Sequence, residues 1–486
     1  MKVESMFFGV ALVVFAASGT TVMPAGEQAI VRSVMKASAE IDAAQAKLTD
    51  RVSVLDYAGR VRRTNDVEVW SDAIAAALAE HEIVVLPGGR TYAIDRTIVM
   101  PSNRRLVADG ATVRLLAPAE VFVRTATDVD GALAPAAKPR GENISVVGGR
   151  WIDWCTSRRQ GVASPLPLGQ FRGMRAAIYL GNADHVAIED VTVENAGGYG
   201  VQIDNADAVR LRGLRFARCR ADGIHVDGNV SRIWIRDVRG EVNDDFVAFN
   251  GYDWLLGSVN YGPQRDVLCE DVVPVDDIRR GYPSIRLLQG VFRYADGSKV
   301  DCRLSNAVFR NIRKVLTFKA YLHTQFFVIG EEPEFSEVGT IENIWFDDID
   351  VDLIRPIDGR ERCGLTAYSG SDSVRGHFAA FEFGTNADGV HFRNVRVRLH
   401  PDRWPLSHFM TVGPKSATFR RAGDGKLVEV FDPDVTCRVR NVTLENVSIE
   451  GAPSESHFHE TRFDNVNRDG RSSGRGYLEK PRIVNE

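Results

Sequence analysis

Short runs of alternating apolar and polar residues recur along the chain, each opened by an Asn or Asp and continued by β-branched residues. They occur at Glu189-Asp190-Val191-Thr192-Val193, Arg310-Asn311-Ile312-Arg313, Asp347-Asp348-Ile349-Asp350-Val351, Arg393-Asn394-Val395-Arg396-Val397 and Glu445-Asn446-Val447-Ser448-Ile449. A period of two marks a strand with one buried face. A unit this short cannot bury its apolar side alone, so successive units must stack and share one core. The Asn or Asp suits a tight corner, because its short side chain bonds nearby backbone and tolerates unusual dihedrals. The pattern predicts an all-β, single-stranded right-handed parallel β-helix over residues 52–460. An antiparallel sandwich would need hairpin turns every 8–12 residues or so, and these are not evident.

The flanks read differently. Residues 27–50 are rich in Ala, Glu, Gln and Lys, with Ile30, Val34, Ile41 and Leu48 at helical intervals, which predicts an amphipathic helix serving as a leader or N-terminal cap. An oligomerisation stalk is the competing reading, but one helix gives no sustained heptad. A strand over Val52–Leu55, a helix over Val67–Glu80 and a strand over Ile83–Leu86 follow. Longer insertions at 250–266, 354–378 and 400–436 are expected as loops that build the walls of a groove. Residues 461–486 are polar and rich in Arg, Gly and Ser, and are expected to form a mobile tail.

Lys2, the apolar run from Met6 to Ala17 and the small residues Ala16-Ala17-Ser18-Gly19 fit a secretory signal over residues 1–19. About 12 apolar residues are few for a bilayer span. A secreted or periplasmic location with no membrane span after cleavage is therefore expected. With 60 basic and 65 acidic residues intermixed and a net charge of -5, the chain does not read as a nucleic-acid binder. Cys155, Cys219, Cys269, Cys302, Cys363 and Cys437 include no Cys-x-x-Cys, which removes zinc-type spacing and favours buried free thiols. The sequons at Asn143, Asn229, Asn441 and Asn446 coincide with coil signatures and read as corners before glycan sites.

Candidate chemistry comes from register. Val186, Val209 and Ile233 begin equivalent segments at offsets of 23 and 24 residues. One residue fewer in the third turn brings Asp245 over Asp222, one strand spacing of about 4.8 Å away. Consecutive strand residues face opposite ways, so Asp244 and Asp245 share a face only at a kink or bulge, and the shortened turn is consistent with one. His225, on the strand face after Asp222, is a candidate substrate binder, and Arg286 and Lys319, on strands of the next coils, are candidates to hold substrate or to lower an aspartate pKa. Tyr252, Trp254 and Tyr261 follow the acidic pair and offer rings for sugar stacking. His457 and His459 are a weaker, two-ligand metal candidate.

Val54-Leu55-Asp56-Tyr57-Ala58, the helix and Val85-Leu86-Pro87-Gly88-Gly89-Arg90-Thr91-Tyr92 resemble the N-terminal segment of pectate-lyase-like β-helix proteins. Within that superfamily, Ala221-Asp222-Gly223 followed by Asn243-Asp244-Asp245 resembles the catalytic region of polygalacturonase-type glycoside hydrolases of family 28. The resemblance implies Asp244 as general acid, with Asp222 and Asp245 as the bases that activate water. The family's Gly-His-Gly and Arg-Ile-Lys have no counterpart here, which leaves the charge of the sugar open. The resulting expectation is an exported, inverting glycoside hydrolase that acts on a polysaccharide with no metal or cofactor, its oligomeric state undetermined. Two alternatives stand beside it: a lyase or epimerase using the aspartates for calcium and Lys319 or Arg286 as base, and a non-catalytic glycan-binding adhesin or tailspike.

Overall fold

The computed structural model describes residues 23–116, 121–126, 140–153, 176–251, 260–275, 284–293, 297–321, 328–329, 337–353, 378–402, 406–413, 418–421, 427–430, 436–460 and 475–484. The signal segment, Tyr252, Trp254, Cys155 and Cys363 lie outside the described residues.

Strands stack in parallel, coil upon coil. Val186 pairs with Val209, Val209 with Ile233, Ile233 with Val267, Val267 with Ala307, Ala307 with Ile344, Ile344 with Val390 and Val390 with Val442. These residues are buried and belong to one continuous core. In the later coils the core is a pile of rings, with Phe309 on Phe346 and Phe346 on Phe392 at centroid distances of 5.6 and 5.2 Å.

The corners behave as the residue types require. Asp190, Asn311, Asp348, Asn394 and Asn446 all adopt φ between 50° and 55°, a left-handed conformation that Asn and Asp enter more readily than other non-glycine residues. Their side chains also link coils, as where the Asn446 amide donates to Asn394 Oδ1 at 2.8 Å. The sequon residues share this role: Asn143, Asn229 and Asn441 have φ from 53° to 59°, and Asn229 Nδ2 donates to Asn205 Oδ1 at 2.5 Å.

Helix α1 (Ala25–Gln45) lies lengthwise against the outside of the solenoid. Ser145, Ala187, Arg210, Trp234, Leu268, Val308 and Trp345 form one outward column. Along it, Gln45 accepts from Ser145, Ile41 packs on Ala187, Ser38 and Asp42 hold Arg210, and Ile30 and Val34 pack on Leu268 and Val308. A helix of 21 residues is about 31 Å long at 1.5 Å per residue, close to the roughly 29 Å of six strand spacings. At its start the buried Glu27 pairs with Arg393 at 2.6 Å. The apolar stripe is thus consumed within the same chain, unlike the stripe of an oligomerisation stalk. Helix α2 (Ser71–Glu80) closes the first coils, with Ala73, Ile74, Ala77 and Leu78 in the core.

Several boundaries differ from the sequence reading. Val52–Leu55 is split between a strand, Arg51–Ser53, and a 3-10 turn, Val54–Arg60, and the helix expected from Val67 begins at Ser71 after the strand Val67–Val69. The insertion expected at 400–436 contains a coil strand, Ser407–Val412, paired with Phe378–Gly384. All six of its residues are buried, so it shows no alternation. The tail expected over 461–486 includes strands Arg475–Leu478 and Arg482–Val484, which pair with Thr436–Glu450. An open sheet edge offers unpaired N–H and C=O groups, and strands this short carry no legible period. Cys219, Cys269, Cys302 and Cys437 are buried free thiols.

Candidate active site

Asp222 and Asp245 occupy equivalent corners, each just before a short strand, Ile224–Val226 and Val247–Asn250. The Gly223 N–H donates to the Asp245 carbonyl at 3.0 Å, so the two corners stack. The bulge that permits this is visible in the ladder: Phe216 pairs with Gly240, but Cys219 pairs with Val242, one residue fewer on the second coil. Arg218 takes φ of 60° at that point. Asp244 and Asp245 consequently lie at a bend, and an oxygen from each of Asp222, Asp244 and Asp245 falls within 4.8 Å of the others. Asp222 and Asp245 are buried, whereas Asp244 is half-buried.

Gly223 is fixed by space. A Cβ there would lie 2.7 Å from the Phe246 carbonyl oxygen and 3.0 Å from the Phe216 ring. Gly223→Ala is expected to wedge the two coils apart and destabilise the fold by about 1–3 kcal/mol, measured by denaturant unfolding. An unchanged midpoint would show that the coils have slack at this corner.

The carboxylates sit in contrasting surroundings. Lys319 Nζ lies 2.5 Å from Asp245 Oδ1, Arg286 Nη1 lies 3.4 Å from Oδ2, and the Ser284 hydroxyl donates to Oδ1 at 2.6 Å. Burial opposes ionisation of Asp245, but the charges of Lys319 and Arg286 outweigh it and hold the carboxyl below the usual range. Asp222 goes the other way. Burial, reinforced by the Asp244 and Asp245 charges and opposed by the His225 hydrogen bond, lifts it to about 6.

His225 links Asp222, 2.6 Å from Nδ1, to the buried Asp227, 3.1 Å from Nε2. Burial alone would favour the neutral ring, yet the Asp227 charge and the two hydrogen bonds raise its pKa to about 10. Tyr199 stacks on the imidazole at 4.0 Å and 7°, and Gln202 Nε2 donates to Asp227 at 2.7 Å.

The structure therefore gathers Asp222, Asp244, Asp245, His225, Arg286 and Lys319 at one place. Tyr261 is buried. His457 ends a 3-10 turn rather than sitting on the strand Phe458–Glu460, and its Nε2 bonds the Ala452 carbonyl at 2.9 Å, while His459 stacks on His408. Among the described residues, neither imidazole belongs to a cluster of three or more groups that could hold a metal ion.

Tyr199, Gln202, Asp227, Ser284 and Glu382 were not singled out from sequence. A signal existed for three of them: Tyr199, Asp222 and Asp245 are spaced by 23 residues, as are Gln202 and His225, and Asp204 and Asp227. Glu382, fully buried, follows Lys319 in register.

The aspartate trio is also the donor set, among the described residues, that could gather a divalent cation. Calcium takes 6–8 oxygens, roughly, and favours uncompensated carboxylates. Here Lys319, Arg286 and His225 already neutralise two of the three, so the set fits such an ion poorly.

The family described as a right-handed β-helix region matches residues 171–252, the stretch that carries Asp222, Asp244 and Asp245. The scaffold is a right-handed parallel β-helix. The chain is similar to an exopolygalacturonase from Thermotoga maritima, 12% identical over 93% of this chain and 96% of that one, with a TM-score of 0.47. It is similar also to the tailspike protein of E. coli bacteriophage HK620 in complex with pentasaccharide, 12% identical over 83% of this chain and 64% of that one, with a TM-score of 0.46. This chain thus spans less than two thirds of that tailspike. No curated protein matches the sequence. Among the described residues, no helix is long and apolar enough to cross a membrane.

Proposed function

We propose that this β-helix protein is an exported glycoside hydrolase that cleaves a polysaccharide with three aspartates and no metal. One observation carries the reading: three carboxylates converge within 4.8 Å at stacked corners, and the surroundings of two of them, Asp222 and Asp245, push their proton affinities apart. Such divergence lets Asp222 and Asp245 play different parts around one water, the first taking its proton while the second stays ionised beside it. Asp244, half-buried and reachable from solvent, is the proton donor to the leaving oxygen. Asp222, with a pKa of about 6, is well matched to take a proton from water near neutral pH. Asp245 is held ionised and shares the water with Asp222. Two oxygens up to 4.8 Å apart can both bond one water at about 2.7–2.8 Å from each.

Lys319 and Arg286 are both already engaged by Asp245. That weighs against either as the base of a lyase. The packing of α1 on its own solenoid likewise removes the basis for a helical stalk in an adhesin.

The acid-to-base spacing is tighter than the roughly 6.5–9.5 Å common among inverting enzymes, so product stereochemistry is the informative measurement. Incubating the mature protein with a panel of plant, algal and microbial polysaccharides, with NMR of the first products, is expected to show new reducing ends of inverted configuration. Retention would make Asp245 a nucleophile and overturn its water-sharing role. Unsaturated uronate products would replace the hydrolase reading with a lyase.

A further inference from the structure

His225 has a carboxylate on each ring nitrogen: Asp222 at Nδ1 and Asp227 at Nε2. Neutral imidazole offers one donor and one acceptor, so a ring placed between two carboxylates is satisfied only when both nitrogens carry protons. Asp227 is fully buried and is held by Gln202 Nε2, while its backbone carbonyl accepts from Gln264 Nε2 at 2.9 Å. Tyr199 closes one face of the ring. The charged and titratable groups near His225 include Asp222 and Asp227 beside its own strand, Tyr199 and the buried Asp204 from the preceding coil, the latter next to Ile203, which pairs with Val226, and, from the following coil, Asp244 and Asp245, which gather with Asp222. Lys319 and Arg286 lie beyond, on Asp245.

We propose that Asp227, acting through His225, is a positioning residue that keeps the imidazole doubly protonated, so that Asp222 stays ionised and aimed beside Asp244 and Asp245. Its catalytic consequence rests on the hydrolase reading above. Its electrostatic part does not. Asp227 stands too far along the chain of contacts to meet substrate; it sets the charge of the group that sets Asp222. Without the Asp227 charge, Nε2–H loses an ionised acceptor and the ring gives up its second proton at lower pH. Asp222 then faces Asp244 and Asp245 with no cation on its other side, and its proton affinity climbs.

The test uses the whole mature protein. Nitrogen NMR of labelled histidine in the wild type is expected to show both ring nitrogens of His225 protonated through pH 8, and Asp227→Asn is expected to lower its titration midpoint by at least about 1 unit. In the same variant the acid limb of kcat/KM should move to higher pH by a similar amount, with the plateau less affected. A purely structural role would lower activity at all pH values without moving that limb. A neutral His225 ring at pH 7 in the wild type, or a ring unmoved in Asp227→Asn, overturns the proposal. So does a ring that moves while the acid limb stays in place. Should Asp227→Asn fail to fold, His225→Gln, which keeps a donor to Asp222 but no charge, must raise the titration of the Asp222 carboxyl seen by carbon NMR; an unmoved carboxyl again overturns it. A wild type that cleaves no glycan, yet shows the expected ring and carboxyl titrations, sinks the hydrolase reading and leaves the relay standing.

Discussion

Asp244→Asn is expected to lower kcat for glycan cleavage by about 10²–10⁴-fold, the usual contribution of a positioned proton donor, with little change in folding stability. The amide keeps the shape of the carboxyl and removes its proton. Asp244 lies at a bend and is less buried than Asp222 and Asp245, so the substitution is expected to disturb core packing little. At pH values where Asp244 is ionised its charge adds to the repulsion that lifts Asp222, so the carboxyl of Asp222 should titrate lower in the variant. Reducing-sugar release and a melting curve on the same preparation decide the matter. Retained turnover would exclude Asp244 as the acid, and a large loss of melting temperature would mark it as structural instead.

Lys319→Met should cost about 3 kcal/mol of stability. Removing one partner of a buried ion pair leaves the other charge uncompensated, at about 3–5 kcal/mol, and the lower end applies because Arg286 still reaches Asp245. The sign of the pH dependence follows from the lowered pKa of Asp245. In the native protein its ionised form contributes stability above the ordinary aspartate value of about 3.9, and that contribution is lost as pH falls through the lowered folded value. In the variant, burial is no longer outweighed, so ionised Asp245 becomes a burden at neutral pH that protonation relieves. The stability gap between wild type and Lys319→Met should therefore be wide at pH 7 and narrow towards pH 4. Urea unfolding at both values measures it, and a gap independent of pH would mean that Lys319 acts by packing alone.

Much of this was legible in the sequence for a physical reason. Each coil exposes its corner, so Asn311, Asn394 and Asn446 announce themselves by residue type, and equal coils translate spacing directly into proximity, as with Asp222 and Asp245. The one-residue shortening before Asp244 reads in the sequence as a slip of register and in the structure as a bulge. Where both faces of a strand are buried, the signal fades: Val247–Asn250 and Ser407–Val412 are covered on either side and lack alternation. Ser284 was invisible for a different reason. The coil before it is longer than 23 residues, so its place beneath Asp245 cannot be counted from the earlier repeat. Asp227 and Tyr199 share the offset of 23 residues and are legible once it is carried to every polar residue, not only to Asp222 and the Asp244-Asp245 pair.

The fit between α1 and the column it covers limits how the solenoid can vary. Loops may grow or shrink at its corners without consequence for the wall, but a whole rung gained or lost between Ser145 and Trp345 would slide every later contact by about 4.8 Å, more than three residues of helix rise. Glu27 would miss Arg393, and Ile30 would miss Leu268. The strap thus works as a gauge of rung number, and changes in repeat count are confined to the stretches it does not reach.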